Sequence, residues 1–135
     1  MANGNVVTNY TRTAISAYLA GLSLYLGVGI GTTTPAAADT ALGTEVTSVS
    51  LGNAQTYTRP GSFTGTQVTT TVTNDTAQWS QTWTNPSGSA NTIAVTEAGI
   101  FSTASAGNMY YRTVFSVFSI APGFGITVQA GIVAG

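Results

Sequence analysis

The chain has 135 residues, of which 43% are hydrophobic and only 5% charged, against roughly 25% charged in a typical soluble protein. It holds three arginines, two aspartates and two glutamates, and no lysine, histidine or cysteine. That inventory excludes a disulfide framework, a thiolate or imidazole metal site, a histidine-dependent triad and a Schiff-base lysine, and a net charge of −1 argues against binding nucleic acid through its phosphates.

Disorder is also disfavoured. Aromatic residues reach 10%, threonine is the most frequent residue and net charge is near zero, whereas disordered chains are poor in aromatics and rich in net charge. Threonine and valine suit a pleated, half-buried surface, so the chain reads as a strand-rich domain. A polar surface with so little charge associates easily, which points to coverage in an assembly.

The opening MANGNVV lacks the positive region of a secretory signal. Thr8 or Asn9 is a suitable N-cap for a helix over Tyr10–Ala20. Ala14–Ile30 imitates a membrane span, but Ala14, Ile15, Tyr18 and Leu19 follow helical spacing while Leu22, Leu24, Leu26, Val28 and Ile30 alternate as in a strand. Gly21 then caps the helix and hands over to a strand at Leu22–Ile30. The strand's glycines leave one face bare for another backbone or ring. Gly31–Gly43 is a loop with one helical turn at Asp39–Leu42, and Val46–Leu51 a short strand. Gly52–Thr66, with Arg59-Pro60-Gly61, is a long turn or protruding arm.

The second half reads as strands at regular spacing: Gln67–Thr73, Thr76–Thr84, Thr92–Phe101, Met109–Ile120 and Ile126–Val133. Asn74-Asp75 is a tight hairpin turn, and Ser102–Asn108 joins the next antiparallel pair. The expected fold is mainly β, an antiparallel β-sandwich or barrel of about seven strands with one short N-terminal helix. It is expected as one domain over 1–135, with an N-terminal arm at 1–9 and a protruding loop or arm at 52–66.

Candidate chemistry is sparse. Gly27–Gly31 lacks both dinucleotide and Walker spacing, has no lysine to follow it, and reads as a strand with small residues on one face. Asp39, Glu45 and Glu97 match no calcium-loop spacing. Glu45 and Glu97 are conceivable as a glycosidase pair, but two acids in a chain do not establish one; the expected reading is that Asp39 caps a turn while Glu45 and Glu97 bond to backbone amides or arginines. Glu97 and Arg112 lie on apolar strands that become neighbours through Ser102–Asn108. A charge there is costly unless paired, so the two are expected to form an ion pair, either buried, including across a subunit boundary, or exposed. Trp79 and Trp83, with Tyr110 and Tyr111 nearby, suit a core or interface, or a platform for a sugar ring. No catalytic group, cofactor or metal is expected.

Two segments carry a resemblance. Leu24–Val46 holds a glycine-rich strand followed by T-x-P, D-T-A-L-G and E-V; Thr96–Phe115 holds T-E-A-G-I-F, a glycine turn and M-x-x-R-T-V-F. Together they resemble small virion structural proteins of tailed bacteriophages, and the order of helix, LGxG strand and E-x-G-[LI]-[FY] strand is similar to the N-terminal domain of tail-collar fibres. The resemblance implies a place in the virion. The expected function is a capsid decoration (cement) protein on the outer shell, a homotrimer whose partner is the major capsid protein and whose arms at 1–9 and 52–66 hold neighbouring subunits. A tail or collar component is the alternative. A carbohydrate-binding adhesion module using Trp79 and Trp83, and a self-assembling filament unit, stand behind these; neither nucleic acid nor membrane is an expected partner.

Overall fold

In the computed structural model, which describes residues 6–134, Thr8 starts the longer helix, α1 (Asn9–Ala20), by accepting a hydrogen bond from the Thr11 amide. Gly21 ends it with right-handed φ and ψ of −80° and −11°, its N–H donating back to Ala17, so this cap does not use glycine's left-handed freedom. Among the described residues, no helix is long and apolar enough to cross a membrane. The other elements are β1 (Leu24–Gly29), α2 (Ser48–Leu51), β2 (Gly61–Phe63), β3 (Thr66–Val68), β4 (Thr76–Thr84), β5 (Ile93–Phe101), β6 (Met109–Ile120) and β7 (Gly125–Val133). They form two open antiparallel sheets, ordered β2-β1-β5-β6 and β3-β4-β7, and neither closes into a barrel.

The chain groups into two compact units, and β4 and β7 contribute to both. Among the described residues the first comprises 6–22, Thr64–Ser80 and 129–134. Here the hairpin β3–β4 pairs Thr66 with Gln78 and Val68 with Thr76, but its connection is the loop 69–75 in place of a two-residue turn at Asn74-Asp75. The Asp75 carboxylate, wholly buried, accepts the amides of Thr70, Thr71 and Val72 at 2.9–3.0 Å and the Thr76 hydroxyl at 3.0 Å. That shortens the strand expected over Gln67–Thr73. Carbonyls left unpaired by the loop are met by α1: Ser16 and Thr13 donate to Asn74 and Thr73, and Gln67 donates to Ser16. The helix therefore rests on its unit by a polar side, and Ala14, Ile15 and Tyr18 face outward.

The second unit comprises Ser23–Phe63 and Gln81–Val128. Its core holds Leu26, Val28, Val46, Leu51, Val95 and Ala98 against Trp83, with Ile126 and Val128 packed on it, so within this unit the two sheets are layered. Val46–Leu51, expected as a strand, instead carries α2: Thr47 and Ser50 form a reciprocal capping box, and that local bonding starts a helical turn. Asp39–Leu42 forms no helical turn. The segment 52–66, expected as a protruding loop or arm, contributes β2, its Pro60 carbonyl accepts from Leu26, and its Arg59 is buried. Of the arm expected at 1–9, residues 1–5 lie outside the described residues and Asn9 belongs to α1.

Candidate functional site

β1 puts Leu26 and Val28 into the core and turns Gly27 and Gly29 to the opposite face. Gly27 pairs with Gly99 of β5. On this glycine floor sit two ion-pair clusters.

The first is built on Glu97. A register shift between Val95 and Glu97 reverses the strand's facing, so Val95 enters the core while Glu97 points to the glycine face; re-aiming a side chain is a common role of a bulge. Glu97 is fully buried. Its Oε1 accepts the amides of Gly31 (3.1 Å) and Thr44 (2.7 Å), and its Oε2 that of Gly43 (3.0 Å). Arg112 donates to Oε2 from Nε and Nη2 at 3.1 and 2.9 Å, to Asp39 at 2.8 Å and to the Thr33 carbonyl at 2.9 Å. Burial pushes the Glu97 carboxyl up, but these amides and the guanidinium outweigh it and its pKa is lowered. Asp39 is held below its ordinary value by the Ala36 amide and by Arg112. Glu97 thus fastens both ends of the loop from Gly31 to Thr44 to the sheet, and Arg112 holds its middle through Thr33 and Asp39.

The second cluster is a stack. The ring of Phe101 lies over Gly27 and Gly99, and the Arg59 guanidinium sits 3.6 Å from the ring centroid. Glu45 accepts from Arg59 Nε at 2.7 Å and Nη2 at 2.8 Å, a bidentate pair. The remaining Nη1 donates to Thr103 and Ala106, which ties down the turn after β5. Tyr57 donates to Glu45 and accepts from the Val28 amide; burial pushes its phenol well above the usual range.

The structure brings Glu97 and Arg112 together inside one chain. Trp79 and Trp83 are each 2% exposed and present no face on which a sugar could stack. Tyr110 is exposed and Tyr111 half-buried, both on β6. Glu45 and Glu97 are each engaged by their own arginine. The sequence reading missed the Glu45–Arg59–Tyr57 cluster and the Asp75 loop. The available signal is scarcity: an arginine buried in an apolar context is costly unless paired, and the chain has only four carboxylates to offer.

A cleft of about 340 Å³ opens beside Glu45, Ser48, Tyr57 and Arg59, and one of about 150 Å³ beside Pro35, Asp39, Tyr110 and Arg112. Among the described residues, no buried unpaired polar atom lines either cleft, and no group of three acidic, histidine or cysteine side chains could hold a metal ion. The charges here fasten loops. No protein-family model matches the chain, and no curated protein does.

Proposed function

We propose that this is a non-enzymatic structural protein of a tailed-bacteriophage virion, a capsid decoration protein that binds the outer shell as a homo-oligomer and stabilises it. The observation that carries the reading is the use of its four carboxylates. Glu97 and Asp39 engage Arg112, Glu45 engages Arg59, and Asp75 holds three amides. Acids spent on holding long loops to a sheet suit a protein that must withstand the extracellular medium without disulfides. The Thr-rich, nearly chargeless exterior suits a layer that is covered on assembly.

The tail or collar reading is favoured by one observation. The residues that carry the resemblance, the LGxG strand and E-A-G-I-F, are the glycine floor and the Glu97 cluster themselves, with Gly27 against Gly99 and Gly29 against Glu97. A motif of this kind specifies a way of building the domain, which supports the reading drawn from the similarity to collar-fibre domains. With Trp79 and Trp83 buried, the adhesion reading lacks its platform.

Antibody-gold labelling of intact phage particles separates these readings. Label over the head supports decoration. Label restricted to the tail or collar replaces it with the alternative, and particles without label remove both.

A further inference from the structure

Helix α1 is amphipathic the wrong way round for a helix that serves only its own domain. Arg12, Thr13, Ser16 and Ala20 face the body of the first unit, while Tyr10, Ala14, Ile15 and Tyr18 face outward. Tyr10 is 84% and Tyr18 70% exposed, and Val6 and Val7 just before the helix are exposed as well. This outward face carries no charge. An aligned apolar row at four-residue spacing is how a helix meets another helix.

We infer that this face pairs with the same face of a second copy, antiparallel about a two-fold axis through Ala14. The row reads Tyr10, Ala14, Tyr18, and so is the same in both directions. Under a two-fold operation Tyr10 of one copy therefore meets Tyr18 of the other, and Ala14 meets Ala14; an isologous interface requires this self-complementarity. The small residue lies at the crossing, where it lets the backbones approach. Antiparallel packing also opposes the two helix dipoles. Because aromatic side chains bury about 150–250 Å² each, the four tyrosines remove roughly 600 Å² from water. Ile15, Val6 and Val7 from both copies carry the total toward the ~1,200 Å² at which specific interfaces begin. The unit of self-association is then a two-fold pair in place of the trimer expected from the sequence.

The inference stands apart from the virion reading: unlabelled particles would remove that reading and leave the helix pair untouched. Sedimentation analysis of the purified full chain tests it, with Ala14→Glu and Ala14→Arg as variants. The native chain is expected to be a dimer. Each variant alone is expected to be a monomer with an unchanged circular dichroism spectrum, since Ala14 is exposed, and their equimolar mixture is expected to return to a dimer. As the chain has no cysteine, Ala14→Cys adds a second readout. Its disulfide-linked dimer should form at least about tenfold faster than that of Val49→Cys, an exposed control elsewhere, because pairing raises the effective concentration of the two thiols. A monomeric or trimeric native chain, a dimer that survives Ala14→Glu, or equal cross-linking at the two cysteines would overturn the inference.

Discussion

Glu97 Oε1 lies 2.5 Å from where a Cβ on Gly29 would stand, and the Thr44 carbonyl lies equally close. The glycine is required by close approach and not by an unusual backbone conformation. Gly29→Ala should therefore destabilise the protein by about 2 kcal/mol or more, since neither the buried carboxylate nor the backbone can yield easily. Gly21→Ala is the contrasting case. Its Cβ would meet nothing nearer than 3.4 Å and its backbone is already right-handed. It should be neutral or stabilising by up to ~1 kcal/mol. Urea unfolding of both variants checks the pair.

Removing one partner of the buried cluster should cost far more than an exposed ion pair. Arg112→Met leaves Glu97 with its amides but without its countercharge, and releases Asp39 and the Thr33 carbonyl. Loss of about 3–5 kcal/mol is expected, the range for an uncompensated buried charge. Arg112→Lys should recover only part of it, because an ammonium cannot reach two carboxylates and a carbonyl through one planar fork. Chemical denaturation of the three proteins reads the order directly.

Much of this architecture is legible because it is local. The change from helical to alternating spacing at Gly21, the single-face tryptophans of β4, and the turn that makes Glu97 and Arg112 neighbours all lie within short windows of sequence. What escapes lies where the chain carries no regular pattern. Arg59 finds Glu45 fourteen residues away across a Gly/Thr/Pro-rich stretch with no period, so nothing in the pattern distinguishes a docked segment from an arm. The stripe on α1 is visible, but periodicity gives a stripe without saying which side meets the domain. That side is decided by the carbonyls of Thr73 and Asn74, which need donors and find Thr13 and Ser16. Similarly, Val46–Leu51 is too short for its apolar spacing to separate strand from helix, and the reciprocal pairing of Thr47 with Ser50 starts the helix.

Asp75 governs a loop more than a sheet. Its carboxylate is held well below the ordinary range by the amides of Thr70 and Val72, and by those of Thr71 and the Thr76 hydroxyl, which outweigh the effect of burial. Asp75→Asn replaces one acceptor oxygen by an NH₂ that faces amide donors. The amides of Thr70, Thr71 and Val72 should lose their hydrogen-exchange protection, while Val28 and Val95 in the second unit keep theirs. Exchange measured by NMR on both proteins distinguishes this from a global loss, in which all five sites would change together.

Stability should have a broad plateau with two different edges. Glu97, Asp39 and Asp75 are lowered from 4.5, 3.8 and 3.8, so the stability they contribute is full above those values. It drains away as pH falls through their lower folded values. Tyr57 is raised from 10.0, by burial foremost, so its contribution is present below pH 10 and is lost as pH climbs toward its folded value. With no histidine in the chain, nothing in the side-chain inventory titrates strongly between. The urea midpoint should therefore stay level from about pH 5 to about pH 9, fall below about pH 4 and fall again above pH 10. Tyr57→Phe should lower the plateau, because Glu45 and the Val28 amide each lose a partner. It should also flatten the alkaline edge, because the phenol that drives it is gone. A step in the native protein near pH 6–7 would contradict this account.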